Sequence, residues 1–323
     1  MLVALSHAAE PPLRQPIPFD TLEADAILTT LSVFPPDNPW NTQVDSWPVA
    51  PNSEAMIAAI GPEKPFRCNT DMGFVLVPPD QPKVAVTLSA YSEESDPGPY
   101  PVPEKAVIEG WPAAFTRSEG PEKQLTLEDV QRGKPNLDAD RHGIIVDPVN
   151  RKLYEFYRLT RSDAGWMAEQ ASIFDLTSNR LRPDGWTSSD AAGLPIFPAV
   201  IRYDELARGE IRHALRVTFS RTRRAYVYPA THFASRLTDE NLPRMGERFR
   251  LRQDFDTSKF SREVQIILVA LQHYGMLVAD NGIDWAVSMT PDERIPVLHE
   301  ELRKVRGSDF EVVIPPSDYV PPQ

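Results

Sequence analysis

The chain has 323 residues, of which 41% are hydrophobic and 25% charged, a composition typical of a globular protein with a buried core. Its net charge of −12 argues against a general binder of nucleic acid or of anionic membranes. The sequence contains no stretch of about 18 apolar residues, the length that a helix needs to span a bilayer. The single cysteine, Cys68, excludes an internal disulfide and CxxC metal or redox motifs.

The chain contains 33 prolines, which favour strands, turns and ordered loops over long helices. The pattern of the sequence predicts an N-terminal extension, residues 1–33, followed by a single β-rich domain, residues 34–323. The extension begins "MLVALSHAA", which is similar to the end of a cleavable secretion signal but has no basic region. We therefore expect a secreted or periplasmic protein, while a cytoplasmic location stays open.

The first half of the domain alternates short helices with strands. Helices are predicted at 53–60 and at 124–133, where Thr126 is the expected N-cap. Strands are predicted at "GFVLVP" and "KVAVTLSAY". The clearest hairpin joins "HGIIVD" to "KLYEFYRL", because β-branched and aromatic residues alternate on both sides of a short turn.

The second half of the domain is also rich in strand patterns. Strands are predicted at "GWMAEQASIFDL", "IRHALRVTFS", "RRAYVYPA", "GERFRLRQDF" and "FEVVI", and a hairpin at "GMLVAD" and "DWAVSM". Helices are predicted at 261–274 and at about 292–305. The whole pattern predicts a mainly β fold, an antiparallel β-sandwich, jelly roll or barrel with three or four peripheral helices.

The helix at 261–274 is the longest or second-longest that the sequence predicts. Its segment "VQIILVALQHY" is apolar nearly all round. We therefore expect Ile266, Leu268, Val269 and Leu271 to be buried.

Several segments of the chain resemble a known group of proteins. They are "SDPGPYPVP", "SDAAGLPIFPAVIRYDE", "HALRVTF", "YVYPATH", "MGERFRL" and "YGMLVADNG". Together they resemble a group of bacterial proteins, many of them apparently exported, that are usually described as hypothetical. The resemblance spans most of the chain from Phe34 onward. It implies export, but it carries no activity and no functional residue.

Residues 211–237 contain no acid but several arginines, in a chain whose net charge is −12. Because side chains alternate along a strand, two predicted strands here each present one polar face. The first face carries Arg212 and Arg216, and the second carries Arg224, Tyr226 and Tyr228. An odd turn length would join both faces into a basic aromatic surface for an anion or a sugar chain. An even length would place His213 beside the tyrosines, and the arginines could instead pair with acids of neighbouring strands.

Asp190 lies in "SSDAAGLP", a loop that contains both glycine and proline. One interpretation is an Asx turn or helix N-cap, in which the carboxylate accepts backbone N–H groups. The other is a catalytic carboxylate, because glycosidic cleavage uses two carboxyl groups, one protonated and one ionised. Glu205 is then the predicted partner, with Asp204 in reserve, and Trp186 would stack on the sugar.

His213 and His232 are candidate proton-transfer groups, since imidazole titrates near neutral pH. Their alternative is a structural, hydrogen-bonded role. His142 could join them around a metal ion, but no spacing such as HxH or HExxH supports one, so no metal is predicted. No cofactor is predicted either, because the GxGxxG, GxxxxGK[ST] and GxSxG motifs are absent.

These patterns favour a carbohydrate-active enzyme that cleaves glycosidic bonds of a polysaccharide or oligosaccharide by hydrolysis. The catalytic candidates are Asp190, Glu205, His213 and His232. The substrate-binding candidates are Arg212, Arg216, Arg224, Tyr226, Tyr228 and Trp186. The expected partner is a carbohydrate, neutral or anionic, with no nucleic acid and no membrane, and the oligomeric state is left open.

Two alternatives to hydrolysis remain. In a polysaccharide lyase, an arginine would neutralise a uronate carboxylate while a histidine or a tyrosine removes the C5 proton. In a non-catalytic carbohydrate-binding or cell-surface protein, the aromatic face would be present without acids or bases arranged about a common point.

Overall fold

The computed structural model describes residues 13–116 and 124–322, in which the chain forms fourteen strands and seven α-helices. The strands are β1 (Ile17–Pro18), β2 (Arg67–Thr70), β3 (Val75–Leu76), β4 (Val86–Leu88), β5 (Gly143–Asp147), β6 (Lys152–Tyr157), β7 (Thr160–Ser162), β8 (Gly165–Ala168), β9 (Gln170–Asp175), β10 (Leu215–Phe219), β11 (Arg248–Leu251), β12 (Met276–Asn281), β13 (Ala286–Met289) and β14 (Phe310–Val313). The helices are α1 (Leu22–Thr30), α2 (Ser53–Ile60), α3 (Ala113–Thr116), α4 (Leu127–Gln131), α5 (Tyr203–Arg208), α6 (Arg262–His273) and α7 (His299–Leu302).

The strands form three mixed sheets. The first sheet has the order β1-β3-β5-β6-β9, the second β14-β11-β12-β10-β13-β2, and the third β4-β8-β7. Each sheet contains a parallel pair, such as β3 with β5, β10 with β12, and β4 with β8. Most of the strand pairs are antiparallel, as predicted, but the sheets are mixed, and in the described residues none of them closes into a barrel.

The secondary-structure content is β-rich by a narrow margin, with 22% strand and 20% helix. The expected excess of strand over helix is confirmed, but the described residues contain more helices than the three or four predicted. Apart from α6 the helices have between four and nine residues. Helices of one or two turns leave too little periodicity in the sequence to be recognised.

The chain crosses from the second sheet to the first between β2 and β3. Asp71 is the first residue of this crossing. Its backbone N–H donates to the carbonyl of Met289 (3.1 Å), and its own carbonyl accepts from the N–H of Gly110 (2.7 Å). The crossing is therefore tied to β13 on one side and to the loop around residue 110 on the other.

β10 lies between β12 and β13, parallel to the former and antiparallel to the latter. The predicted hairpin of "GMLVAD" and "DWAVSM" was therefore wrong, because the two segments flank β10 instead of pairing. The pairing register shifts between Val217 and Thr218, which places Asp280 opposite Thr218. Neighbouring side chains in register share a face, so Asp280 lies on the face that carries Arg216.

Residues 223–230, predicted as a strand, form none. Tyr226 makes an isolated bridge to Met245 instead. The predicted sheet face of Arg212, Arg216, Tyr226 and Tyr228 was therefore wrong. The β-type pattern of a segment does not by itself specify a neighbouring strand, and here the segment has none.

Two local predictions are confirmed. β5 and β6 form the expected hairpin, and Thr126 caps α4 in a capping box with Asp129. α6 has twelve residues and is the longest described helix. Three of its four expected core residues are buried, but Val269 is 38% exposed. The helix thus has a solvent face that its apolar sequence did not indicate.

The described part of the N-terminal extension packs into the fold. β1 pairs with β3, and Leu13, Phe19 and Leu28 belong to the same buried apolar cluster as residues of the second sheet. The signal-like start, residues 1–8, lies outside the described residues. In the described ranges no helix is both long and apolar enough to cross a membrane.

Candidate active site

The Asp190 carboxylate forms a buried ion pair with Arg216. Its side chain is 0% exposed and that of Arg216 is 5% exposed. Arg216 donates from Nε to one carboxylate oxygen (2.8 Å) and from Nη2 to the other, and its Nη1 donates to Ser288 Oγ (2.6 Å). This two-pronged geometry is the strongest pairing of a guanidinium with a carboxylate.

Ser188 rather than Asp190 stabilises the loop around them. The Ser188 hydroxyl accepts from the Asp190 N–H (3.1 Å) and donates to the carbonyl of Leu194 (2.5 Å). Gly193 has φ +74°, and a Cβ there would lie 2.0 Å from Thr231 Oγ1, so the loop requires glycine. The Asx-turn interpretation of Asp190 was therefore wrong, because its carboxylate faces a guanidinium and not backbone N–H groups.

Glu109 and His142 form a second ion pair. Glu109 Oε2 lies 2.9 Å from His142 Nδ1 and accepts from the His142 backbone N–H at 3.2 Å. The other ring nitrogen, Nε2, lies 3.1 Å from the carbonyl oxygen of Ser189. Since both ring nitrogens face acceptors, both carry protons. Burial alone would lower the pKa of His142, but the Glu109 carboxylate outweighs it and raises that pKa to about 10.

Asp71 and Asp280 are carboxyl groups near these pairs whose pKa values are raised. Burial, followed by the like charge of Glu109, raises the pKa of Asp71 to about 7. Burial, followed by the like charge of Asp190, raises the pKa of Asp280 to about 7. The charge of Arg216 opposes both shifts. Both acids therefore change their charge close to neutral pH.

We call these six residues the central cluster: Asp71, Glu109, His142, Asp190, Arg216 and Asp280. It holds four carboxyl groups and two cations. Two of the carboxylates, those of Glu109 and Asp190, form direct ion pairs with the two cations. In the described residues, Asp71 and Asp280 form no ion pair. Burial is the main reason that these two acids remain protonated near neutrality, and the surplus of negative charge adds to it.

The residues of the central cluster differ in their exposure to solvent. His142, Asp190 and Arg216 are buried, whereas Asp71, Glu109 and Asp280 are partly exposed. Within the described chain, the buried atoms Asp71 Oδ1 and Ser189 Oγ have no hydrogen-bond partner. Buried polar atoms without a partner are uncommon and are typical of sites that meet a ligand. The partly exposed carboxyl groups are the ones that a substrate could reach.

Glu155 is a buried carboxyl group close to the central cluster. Its buried carboxylate accepts from the backbone N–H of Ile196 (2.9 Å) and of Phe197 (2.8 Å), which joins β6 to the segment that follows the Asp190 loop. Burial raises the pKa of Glu155 to about 7, although these two N–H groups oppose the shift. A third acid close to the cluster thus titrates near neutrality.

The structure separates Glu205 from Asp190, so the predicted carboxylate pair does not form. Glu205 Oε1 accepts from Arg202 Nη2 (2.8 Å) and lies 2.9 Å from His213 Nε2. Burial would raise the pKa of Glu205, but the charges of Arg202 and His213 hold it at about 2.

His213 Nδ1 faces the carbonyl of Ala214 (2.9 Å), so both ring nitrogens are occupied. Neither side chain is free to transfer a proton. Asp204, the reserve partner, is bound to Arg202 in the same group (3.0 Å).

His232 lies beside the Asp190 loop. Its Nδ1 donates to the carbonyl of Ala191 (2.7 Å). The ring is stacked on Phe233 (centroids 5.7 Å apart, 7° between planes), and Tyr226 stacks on the same ring at 6.1 Å. Arg224 lies over Phe233 at 5.7 Å. These partly exposed rings form an aromatic row, which we define as Tyr226, His232 and Phe233.

The remaining predicted binding residues are dispersed. Trp186 lies under Arg182 at 5.5 Å, and Arg212 is 70% exposed and bound to Glu210. Burial and the neighbouring Tyr319 raise the pKa of Tyr228, and the hydrogen bond to Asp184 raises that of Tyr226. A tyrosine with a raised pKa stays protonated near neutral pH and cannot accept a proton, so neither fits the base of a lyase.

Three residues of the central cluster were not recognised as site residues in the sequence: Asp71, Glu109 and Asp280. His142 was considered only as a metal ligand. Asp71 follows β2 directly and Asp280 is near the end of β12. Asp280 follows the apolar run MLVA of β12, a weak signal that could have drawn attention to it, whereas β2 is largely polar and gives no such signal for Asp71. In residues 13–116 and 124–322, no group of three or more His, Cys, Asp or Glu side chains is arranged to hold a metal ion.

Comparison of the chain with models of protein families, with curated proteins and with solved structures gave no match. The function is therefore inferred from the chemistry of the site.

The protonation of the cluster predicts how stability depends on pH. Asp71, Asp280 and Glu155 have pKa values of about 7 in the fold and His142 about 10, all above the ordinary values for the unfolded chain. The folded state therefore binds more protons between about pH 4 and pH 10, and its stability falls as the pH rises. Each of the three acids should by itself lower the free energy of unfolding by about 2 kcal/mol between about pH 5.5 and about pH 9, and His142 adds to this loss.

Urea denaturation at several pH values, with proton uptake on folding, would check this prediction. Equal stabilities across that range would mean that the acids ionise in the fold as they do in water. Asp280→Asn provides a matched comparison, because a neutral side chain of the same shape should flatten the decline between about pH 5.5 and pH 8.

Proposed function

We propose that the protein hydrolyses glycosidic bonds, with Asp71 as general acid and Glu109 as the ionised base or nucleophile. The observation that carries the proposal is the divergence of their pKa values. Burial and Glu109 raise the pKa of Asp71 to about 7, whereas His142 outweighs burial and lowers the pKa of Glu109. Glycosidic hydrolysis requires one protonated and one ionised carboxyl group.

The roles of the other residues follow from their contacts. His142 donates to Glu109 and keeps it ionised, and the Ser189 carbonyl fixes the orientation of the ring. The buried ion pair of Asp190 and Arg216 is a rigid support for the cluster, because its hydrogen bonds leave neither side chain free to turn. Both are positioning residues in this proposal, and not catalytic ones as predicted from the sequence for Asp190.

The aromatic row supports a carbohydrate substrate. Its rings are partly exposed, and His232 is hydrogen-bonded to the residue after Asp190. Aromatic rings offer a flat apolar surface with polar edges, which suits the apolar faces and hydroxyl groups of a sugar. A carbohydrate polymer outside the cytoplasm would agree with the export that the sequence favours.

Hydrolysis fits this cluster better than elimination. A lyase needs a free cation to neutralise the uronate carboxylate, but Arg216 is committed to Asp190 and Ser288. A purely binding protein would have no use for acids held at pKa values near 7 beside an ionised neighbour. Strongly shifted pKa values are more typical of catalytic sites than of binding surfaces.

The test is a screen of neutral and uronate-containing polysaccharides for new reducing ends and for the ultraviolet absorbance of unsaturated uronates. We expect reducing ends without that absorbance. On an active substrate, kcat/KM should fall as the pH rises above about 7, because Asp71 loses its proton there. Unsaturated products would contradict hydrolysis, and a rate that does not fall above this pH would contradict the role of Asp71.

A further inference from the structure

A second site of interest is a cavity of about 690 Å³ that lies beside α1 and α5. Its walls include residues 28, 29 and 31–36, at the end of α1 and after it, and Tyr274. The volume lies within the range of pockets that hold small molecules. No residue of the central cluster lines this cavity, so it is a separate pocket.

Four arginines line the cavity: Arg151, Arg202, Arg208 and Arg212. They come from the β5–β6 turn, from both ends of α5, and from the segment before β10. Among the described lining residues the one acid is Glu205, and Arg202 and His213 already occupy its Oε1. The lining therefore carries a surplus of positive charge, in a protein whose net charge is −12.

Two of these arginines are only loosely compensated. Arg208 lies 3.7 Å from Asp204, 4.0 Å from Glu205 and 3.9 Å from Glu210, all beyond hydrogen-bond distance. Arg151 has no carboxylate partner in the described residues. Its Nη2 donates to the carbonyls of Ser32 (2.7 Å) and Leu176 (3.0 Å), while its buried Nε has no partner. A half-buried cation without a counter-ion is costly unless an anion joins it.

The backbone conformation of Arg151 also indicates that this side chain meets an anion. The residue has φ +52°, a conformation in which glycine or asparagine is favoured and an arginine is strained. Strain of this kind persists where a side chain is needed for another purpose. Here the purpose would be to place a guanidinium in the wall of the cavity.

We propose that this cavity binds a small molecule through an oxyanion group, which Arg151 and Arg208 contact and toward which the exposed Arg212 turns from its surface pair with Glu210. The group is a phosphate, a sulfate or the carboxylate of an acidic sugar, since all three present oxygens that guanidinium groups bind in pairs. The site is independent of the proposed glycosidase reaction, because binding here requires no residue of the central cluster.

Calorimetric titration with inorganic phosphate, inorganic sulfate and glucuronate tests the proposal, with glucose as the neutral control. The titrations are made at about 150 mM salt, which screens unspecific attraction. At least one of the three anions should bind with one-to-one stoichiometry, and glucose should not. Preference for phosphate or sulfate would indicate a tetrahedral oxyanion, and preference for glucuronate an acidic sugar.

The variants assign the binding to the cavity. Arg208→Gln and Arg212→Gln should each weaken binding by about tenfold or more, because each removes one charged contact. Arg151→Gly should weaken binding similarly while relieving the backbone strain. Arg303→Gln is the matched control, since Arg303 is half exposed and does not line the cavity. Asp71→Asn should bind like the wild type, which separates this site from the proposed catalytic one.

The absence of binding by all three anions would overturn the proposal. So would binding that Arg303→Gln weakens as much as Arg208→Gln does, because the attraction would then belong to surface charge in general. If Arg151→Gly fails to fold, the two glutamine variants still decide the outcome, since Arg208 and Arg212 are both solvent-accessible.

Discussion

Asp71→Asn should lower kcat/KM by about 10²–10⁴-fold on an active polysaccharide, the range for the loss of a general acid. Asparagine has nearly the same shape as aspartate but holds no transferable proton. The variant should remain folded, because Asp71 has no ion pair in the described residues and its Oδ1 has no hydrogen-bond partner. Circular dichroism would confirm the fold before the rates are compared.

A change of leaving group separates the two proposed roles. An aryl glycoside with an acidic phenol needs no proton on its leaving oxygen, so Asp71→Asn should recover most of its activity on it. Glu109→Gln should not recover, because the ionised group is needed for either leaving group. Recovery of Glu109→Gln alone would reverse the assignment of the two residues.

Two control variants make the result specific. Asp163→Asn changes a carboxylate that is 96% exposed, and it should leave the rate unaltered. Glu205→Gln tests the pair predicted from the sequence, and we expect its effect to be on stability rather than on turnover of the folded enzyme. Loss of turnover in folded Glu205→Gln, with normal rates in Asp71→Asn, would move the chemistry to the Glu205 group.

Asp190→Ala should destabilise the fold by about 3–5 kcal/mol, because it leaves the buried charge of Arg216 without its bidentate partner. The cost should be smaller at about pH 8 than at about pH 6. Asp71 and Asp280 ionise in that interval and can act as counter-ions to Arg216, and removal of Asp190 also lowers the pKa of Asp280. Urea denaturation at the two pH values would measure both effects.

A double variant and a variant of an exposed ion pair serve as controls for Asp190→Ala. Asp190→Ala combined with Arg216→Met should be more stable than Asp190→Ala alone, since it removes the unpaired charge. Glu128→Ala breaks an exposed pair with Arg132 and should cost no more than about 1 kcal/mol. A cost of Asp190→Ala as small as that of Glu128→Ala would show that the Asp190–Arg216 pair is not a buried support.

The sequence was informative wherever structure is determined by neighbours along the chain. The β5–β6 hairpin, the Thr126 cap and the extent of α6 all depend on residues within a few positions of one another. The segments around Asp190 and Arg216 were also identified, because an acid in a rigid loop and an arginine cluster are visible as composition. Pairing of the arginines with neighbouring acids was one of the two interpretations, but the sequence did not identify Asp190 as the partner of Arg216.

The rest depended on contacts between distant segments. β10 inserts between β12 and β13, a neighbour relationship that hydrophobic alternation does not encode. The central cluster brings residue 71, residue 109, residue 142 and residue 280 around Arg216 across two sheets. Each of these acids is an ordinary residue in its own segment. Burial and this convergence together raise the pKa values of Asp71 and Asp280, and the convergence leaves no motif in any one segment.

The protonation state of Asp71 tests the central claim most directly. Infrared difference spectra between the wild type and Asp71→Asn, recorded across the pH range, isolate the carboxyl band of this residue. We expect the protonated C=O band at about pH 5.5 and its replacement by a carboxylate band as the pH passes about 7. A carboxylate band already present at about pH 5.5 would mean an ordinary pKa, and it would contradict the role of Asp71 as general acid.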